Sequence, residues 1–201
     1  MLLNKFRNSL EPIMSKVGLI FASLGLSANF WTILGLATST LAGAVYAMPA
    51  ATPTIRFPWF YASIIGSILL LISGFFDIID GNVARVTRQS SKKGAFLDSS
   101  LDKLAEAIIF IGIAIGSLAD PLLCMIALSL SLMVSYVRAR AESFGIELKG
   151  IGIGERAERL LIIAIMGLIP VVGIMQLAVI VVSVVSGITL IQRIAVTSKM
   201  L

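Results

Sequence analysis

Residues 59–80 read WFYASIIGSILLLISGFFDIID, and no charged side chain occurs in this run before Asp77. A helix needs about 20 mostly apolar residues to cross the hydrocarbon core of a bilayer, which is about 30 Å thick. The run therefore predicts a membrane-spanning helix with Asp77 and Asp80 at one end. The whole chain has the same character, because 58% of its 201 residues are hydrophobic, only 13% are charged and the mean hydropathy is +1.00. Soluble domains carry about twice that share of charge, so we expect a membrane protein.

Apolar runs on both sides of this span predict one membrane domain over residues 1–201. The expected fold class is all-α: an integral membrane bundle of six transmembrane helices, preceded by an interfacial amphipathic helix at about 3–17. The spans are expected at about 28–48, 59–80, 98–118, 121–138, 155–169 and 171–194. A polar stretch, 81–97, is expected to connect the second span to the third.

The distribution of basic residues predicts the topology. With both termini in the cytoplasm, all 16 Lys and Arg residues except Arg56 fall on the cytoplasmic side. This bias is typical of multi-pass proteins, so we expect a plasma-membrane location with the active site facing the cytoplasm. The basic residues occur in short segments between apolar runs, so the net charge of +5 does not indicate a nucleic-acid partner. The absence of His and the single Cys124 argue against His-dependent hydrolysis and zinc chemistry.

Four aspartates are the residues of the sequence that most directly indicate a chemical function. Asp77 and Asp80 are three residues apart, and Asp98 and Asp102 are four apart, so each pair shares one helix face. Packed side by side, the two helices would bring four carboxylates together near the membrane boundary, where divalent cations would relieve their repulsion. Carboxylate oxygens suit hard ions such as Mg²⁺ or Mn²⁺, and two ions per active site would suit phosphoryl displacement. The alternative is a purely structural role, in which the aspartates are charges at helix ends and Asp98 is an N-cap.

The same stretch resembles the motif of the CDP-alcohol phosphotransferase family, D-x-x-D-G-x-x-A-R-x8-G-x3-D-x3-D. Residues 77–85 read DIIDGNVAR and residues 94–102 read GAFLDSSLD, so all eight fixed positions are present at the required spacing. The resemblance implies an enzyme that transfers a phosphatidyl-type group from a CDP-lipid to an alcohol, and a homodimer. It also implies that Asp77, Asp80 and Asp98 hold the ions. Asp102 would be both a ligand and the base that deprotonates the acceptor.

The resemblance also implies a binding site for CDP-diacylglycerol or CDP-archaeol. Gly81 and Ala84 are small, so a nucleotide could approach the backbone, and Arg85 offers a planar fork of donors to the diphosphate. One departure from the family is Ala28, where a Pro is usual. The expected CDP-lipid-binding residues are Asn29, Thr32, Gly81, Ala84, Arg85, Ser91 and Gly94.

Segments later in the chain indicate which alcohol is the acceptor. Residues 135–142 (SYVRARAE), residues 154–160 (GERAERL) and Arg193 resemble stretches of the phosphatidylinositol-phosphate and archaetidylinositol-phosphate synthases. That resemblance implies inositol 1-phosphate as acceptor. Its phosphate would be bound by Ser135, Arg138, Arg159 and Arg193, with Arg140 and Arg156 as further candidates.

Two other functions remain open from sequence. Glycerol 3-phosphate as acceptor would make the chain a phosphatidylglycerol-phosphate synthase. A cation transporter could place its carboxylates along an ion path, although such a path would put them at mid-membrane rather than at one face. The arginines could also simply obey the positive-inside bias.

Overall fold

The computed structural model describes residues 16–51, 57–87, 91–148 and 150–201, and these residues form helices and connections without a strand. Residues 16–22 are helical, and the helices that follow are α1 (Ala28–Ala51), α2 (Trp59–Val86), α3 (Lys92–Ile115), α4 (Pro121–Ser143), α5 (Arg156–Gly167) and α6 (Ile174–Met200). The predicted all-α class is confirmed. The expected interfacial helix at 3–17 lies outside the described residues except for its last two positions.

Four of these helices, α1, α2, α4 and α6, are long and apolar enough to cross a bilayer. Between 22% and 39% of their most apolar windows is buried inside the chain, so most of that apolar surface faces outward. An exposed apolar area of this extent indicates lipid contact. By the same measure α3 and α5 do not qualify, because charged residues continue through α3 as far as Glu106 and α5 has only 12 residues.

The helices that carry the aspartates extend beyond their expected ends. α2 continues to Val86 and α3 already begins at Lys92, so most of the polar stretch predicted at 81–97 is helical. A polar sequence does not stop a helix whose ends are capped. The Ser91 hydroxyl oxygen accepts a hydrogen bond from the Gly94 amide at 3.0 Å, in the manner of an N-cap, and Arg85 lies in the last turn of α2, where a cation is favourable.

The chain divides into two compact units, and α1, α2 and α3 contribute residues to both. Of the described residues, the first unit contains 16–38, 72–87 and 91–102. Its core consists of Trp31, Ile79 and Val83, with the ring of Phe21 edge-on to Trp31 at 5.1 Å. The Ser73 hydroxyl donates to the Gly35 carbonyl at 2.9 Å, which joins α2 to α1 within this unit.

The second unit contains the described residues 39–51, 57–71, 103–148 and 150–201. Its helices approach closely at small residues: a Cβ added to Gly112 would overlap the Gly43 carbonyl, and one added to Gly116 would overlap the Tyr46 carbonyl. The Ser63 hydroxyl donates to the Gly167 carbonyl at 2.7 Å. Small residues and hydroxyl contacts are the usual means of packing helices in a membrane, where apolar burial between helices contributes little.

Candidate active site

Three of the predicted metal ligands form a cluster in the first unit. Asp77 on α2 and Asp98 and Asp102 on α3 each offer a carboxylate oxygen, and these oxygens lie within 4.8 Å of one another. All three side chains are half-buried, so water screens their mutual repulsion only in part. A set of three carboxylates without nitrogen or sulfur suits Mg²⁺ or Mn²⁺, and the residues therefore fit a divalent metal site.

The fourth aspartate has different surroundings. Asp80 is 6% exposed, its carboxylate interacts with the Thr32 hydroxyl, and the charges of Asp77 and Asp98 act on it. The sequence predicted that all four carboxylates converge, with Asp102 also acting as the base. The structure brings carboxylate oxygens of three of them within 4.8 Å of one another and places Asp80 in the wall of an adjoining cavity.

This first-unit cavity has a volume of about 200 Å³. Its lining contains six of the seven predicted CDP-lipid-binding residues and two of the aspartates. The lining residues are Ala28, Asn29, Thr32, Asp80, Gly81, Ala84, Ser91, Gly94, Ala95 and Asp98. Asp98 belongs to both the cavity and the carboxylate cluster, so a ligand in the cavity would lie next to a metal held by that cluster.

Arg85 is the predicted donor-site residue that does not line this cavity. Its side chain is exposed, and its Nε donates to the Gly81 carbonyl at 3.1 Å, one turn earlier on α2. Ser91, one of the expected CDP-lipid-binding residues, accepts the cap bond from the Gly94 amide and keeps a hydroxyl proton to donate.

The predicted acceptor residues lie in the second unit, where three arginines form an electrostatic cluster. The charges of Arg138 and Arg159 act on Arg193, and those of Glu142 and Glu155 offset them. Arg193 is 2% exposed; its Nε donates to the Ile151 carbonyl and its Nη1 to the Val134 carbonyl, each at 3.0 Å. Its Nη2 lies 3.6 Å from a Glu155 carboxylate oxygen and has no hydrogen-bond partner among the described residues.

A second-unit cavity of about 360 Å³ adjoins this cluster and is lined by Arg138, Glu142, Gly145, Ile146 and Glu147. The Arg138 Nε donates to a Glu142 carboxylate oxygen at 2.9 Å, and both side chains are partly exposed. Ser135 lies outside this lining, and its hydroxyl donates to the Ser131 carbonyl at 3.3 Å.

The further candidates Arg140 and Arg156 differ in their surroundings. The Arg140 guanidinium stacks over the Phe144 ring at 4.5 Å on the surface, whereas Arg156 is half-buried at the first position of α5.

Arg159 is placed differently from the expectation of a phosphate ligand. Its Nε and Nη2 donate to the two carboxylate oxygens of Glu106 at 2.8 and 2.9 Å, and its Nη1 donates to the Gly154 carbonyl at 2.6 Å. Glu106 is fully buried and Arg159 is 1% exposed. These bonds use three of the five N–H donors of the guanidinium, so its burial, rather than the loss of these bonds, limits contact with a phosphate. Glu106 was missed in the sequence, although a lone carboxylate just inside an apolar run signals a buried partner.

Comparison with known proteins decides the family. The sequence pattern of CDP-alcohol phosphatidyltransferases matches residues 25–189, which is most of the chain. The chain belongs to this family. It is therefore a CDP-alcohol phosphotransferase, and the resemblance drawn from the aspartate motif is confirmed.

Two relatives align with nearly the whole chain. The chain is 36% identical to an archaetidylinositol phosphate synthase of Pyrococcus horikoshii, with 100% of this chain and 98% of the relative aligned. It is 39% identical to the corresponding synthase of Methanothermobacter thermautotrophicus, with 96% and 92% aligned. A solved structure of the Mycobacterium tuberculosis phosphatidylinositol phosphate synthase with CDP-DAG bound is similar at a TM-score of 0.75 and 25% identity, over 92% of this chain and 94% of that one. The same enzyme has been solved with manganese and citrate, with a TM-score of 0.73, 25% identity, and coverage of 92% and 88%.

Proposed function

We propose that this enzyme transfers the phosphatidyl or archaetidyl group of a CDP-lipid to a hydroxyl of inositol 1-phosphate and releases CMP. One structural observation carries the proposal: Asp98 belongs both to the three-carboxylate cluster and to the cavity lined by the motif residues. The relatives aligned over the whole chain, which are named as inositol phosphate synthases of both lipid types, support the choice of acceptor.

The donor would be bound in the first-unit cavity. Gly81, Ala84 and Gly94 give a backbone surface that the cytidine diphosphate can approach, while Asn29 and Thr32 offer polar contacts from α1. Arg85 is exposed and follows the lining residue Ala84 in the sequence, and it would bind the diphosphate. The lipid tails of the donor would remain in the bilayer.

The proposed metal site holds two divalent ions, Mg²⁺ or Mn²⁺, on Asp77, Asp80, Asp98 and Asp102. When bound, they would supply positive charge to the diphosphate and to the departing CMP. A manganese complex of the Mycobacterium tuberculosis enzyme supports the choice of ion.

Asp102 is the proposed general base. It takes the proton from the acceptor hydroxyl, whose oxygen attacks the phosphorus that bears the lipid. The bond from that phosphorus to the CMP oxygen breaks, and the electron pair leaves with CMP, so the products are the lipid phosphodiester, CMP and one proton.

The acceptor would be bound in the second-unit cavity. Arg138, which lines the cavity, is a proposed phosphate ligand, and so are Ser135 and Arg193, which lie outside the lining. Glu142 and Glu147 can accept hydrogen bonds from a polyol. A cavity with one guanidinium and two carboxylates suits a phosphorylated polyol better than a simple anion. Binding requires that the acceptor phosphate compete with Glu142 for Arg138.

For the molecule as a whole we propose six spans, with the interfacial helix and both termini on the cytoplasmic side. The enzyme would be a plasma-membrane homodimer. Light scattering of the detergent-solubilised protein tests this, and a particle with the mass of one chain would contradict the dimer.

The test of function is CMP release by the purified enzyme. CDP-diacylglycerol and CDP-archaeol are each offered with inositol 1-phosphate, glycerol 3-phosphate, serine or free inositol. We expect CMP and a phosphorylated lipid product with inositol 1-phosphate. Release of CMP with glycerol 3-phosphate alone would assign the enzyme to phosphatidylglycerol-phosphate synthesis instead. The transporter alternative has lost its basis, because the chain belongs to an enzyme family.

A further inference from the structure

We infer that Glu147 determines the choice of acceptor: its carboxylate accepts hydrogen bonds from ring hydroxyls of inositol 1-phosphate, while Arg138 binds the phosphate. The inference rests on the proposed function, which assigns the second-unit cavity to the acceptor. It gives the two glutamates that line this cavity, Glu142 and Glu147, different tasks.

The cavity wall that follows α4 is fixed by the end of that helix. The amides of Gly145 and Ile146 donate to the Glu142 and Ala141 carbonyls, each at 3.0 Å. Gly145 has a φ of 77°, in the left-handed region. These two bonds and this φ form a Schellman motif, which ends a helix in a defined geometry. Glu147 follows this motif directly.

Glu147 brings an unused carboxylate to this wall. It is exposed and lines the cavity, and the next residue, Leu148, is fully buried. Among the described residues, no group forms a hydrogen bond or an ion pair with the Glu147 carboxylate. An ionised carboxylate offers about four acceptor positions. These positions remain available to the hydroxyl groups of a ligand in the cavity.

Glu142 is placed differently. One of its carboxylate oxygens accepts from the Arg138 Nε at 2.9 Å, one turn earlier on α4. Glu142 is therefore the counter-ion of Arg138, and it lowers the positive charge that a phosphate meets there. The two carboxylates of the cavity thus differ, because one balances the guanidinium and the other is open to hydroxyls.

The chemistry of the cavity favours an acceptor with several hydroxyls. Its volume of about 360 Å³ is near the lower end of the range for small-molecule pockets, about 300–1,000 Å³, so a phosphate on Arg138 leaves room for the rest of the acceptor. A carboxylate repels a phosphate but accepts bonds from hydroxyls. The inositol ring offers several hydroxyls besides the one that attacks, whereas glycerol 3-phosphate offers a single one. The hydrogen bonds to Glu147 therefore offset its repulsion of the phosphate best for a polyol ring.

Glu147→Ala tests this inference through the sign of its effect. If the carboxylate binds the ring, the KM for inositol 1-phosphate rises by roughly 3- to 30-fold, the effect of losing hydrogen bonds to a charged group that water partly replaces. The inhibition constant of inorganic phosphate, measured as a competitor of the same acceptor, stays the same or falls. If Glu147 is only a nearby negative charge, its removal tightens the binding of both anions. Because Glu147 is exposed, the temperature of thermal unfolding should not change.

Matched variants separate recognition of the ring from recognition of the phosphate. Arg138→Met should raise the KM for inositol 1-phosphate and the inhibition constant of phosphate by similar factors. Glu142→Gln, which removes the other carboxylate of the cavity, should lower both constants or leave both unchanged. Asp120→Asn, which removes a negative charge at the opposite end of α4, should change neither.

Glycerol 3-phosphate gives a direct measure of specificity. In Glu147→Ala, the ratio of its inhibition constant to the KM for inositol 1-phosphate should fall. A lower KM for inositol 1-phosphate in this variant, or equal changes for inositol 1-phosphate and phosphate, would overturn the assignment of Glu147. A selective loss of inositol 1-phosphate in Glu142→Gln instead would overturn it too. Each of these results leaves the proposed function intact, whereas a wild-type enzyme that releases no CMP with inositol 1-phosphate would remove the function and this inference with it.

Discussion

Among single side chains, Asp102 has two proposed tasks, as a metal ligand and as the base. Asp102→Asn preserves the shape of the side chain and removes the basic oxygen. We expect CMP release to fall by about 10²- to 10⁴-fold, the usual contribution of a general base, with little loss of thermal stability. The measurement is single-turnover CMP release.

Asp120→Asn is the matched control for this substitution. Asp120 caps α4 by accepting from the Leu123 amide at 3.0 Å, and Asn caps helices about as well as Asp, so activity should persist. Near-normal turnover in Asp102→Asn would remove Asp102 as the base.

The three-carboxylate cluster predicts a strict metal requirement. Chelation with EDTA should abolish CMP release, and Mn²⁺ or Mg²⁺ should restore it, because carboxylate oxygens of Asp77, Asp98 and Asp102 lie within 4.8 Å of one another and could share an ion. Titration with Mn²⁺ followed by electron paramagnetic resonance should give two bound ions per chain, and fewer in Asp77→Ala. Full activity in excess EDTA would contradict the metal site.

At the scale of helices, close approach at glycine makes an asymmetric prediction. Gly112→Ala places a methyl group on the Gly43 carbonyl and should lower the free energy of unfolding by about 1–3 kcal/mol. An added Cβ at Gly74 meets nothing within 4 Å, so Gly74→Ala should be neutral or stabilising by up to about 1 kcal/mol through helix propensity. Thermal unfolding in detergent, followed by Trp fluorescence, compares the two. Equal effects would contradict this packing.

The sequence predicted the positions of the helices more accurately than the residues at which they begin and end. The apolar runs gave the helical class and the start of α2 at Trp59, because a span of fixed thickness imposes a length on the sequence. That rule concerns only the hydrocarbon core. It does not specify the continuation of α2 to Val86 or the start of α3 at Lys92, where hydrogen bonds of the helix ends decide the boundary.

The candidate site likewise has features that the sequence predicted and features that it did not. The spacing of Asp77, Asp98 and Asp102 predicted their convergence, because positions three or four apart share a helix face. The different surroundings of Asp80 and the ion pair of Arg159 with Glu106 depend on contacts between distant segments. The positive-inside count treats all arginines alike, so it could not separate Arg159 from Arg138.

For the molecule as a whole, the topology can be tested with cysteine labelling, since Cys124 is the only cysteine and is buried. In a Cys124→Ala background, Ser117→Cys and Ser143→Cys form a matched pair at exposed positions on opposite ends of the proposed bundle. A membrane-impermeant maleimide should label position 117 in intact cells and position 143 only after permeabilisation. The reverse pattern would place the active site outside.

The brevity of α5 has a consequence for the surrounding lipid. Its 12 residues extend about 18 Å, well short of a hydrocarbon layer of about 30 Å. If α5 is a span, the bilayer beside it must become thinner so that the polar ends of the helix stay in contact with water. This thinning costs a small amount of free energy for every ångström of mismatch. In nanodiscs made from a graded series of phosphatidylcholines, turnover should be faster in short-chain than in long-chain lipid, and a rate independent of chain length would mean that α5 is shielded from lipid.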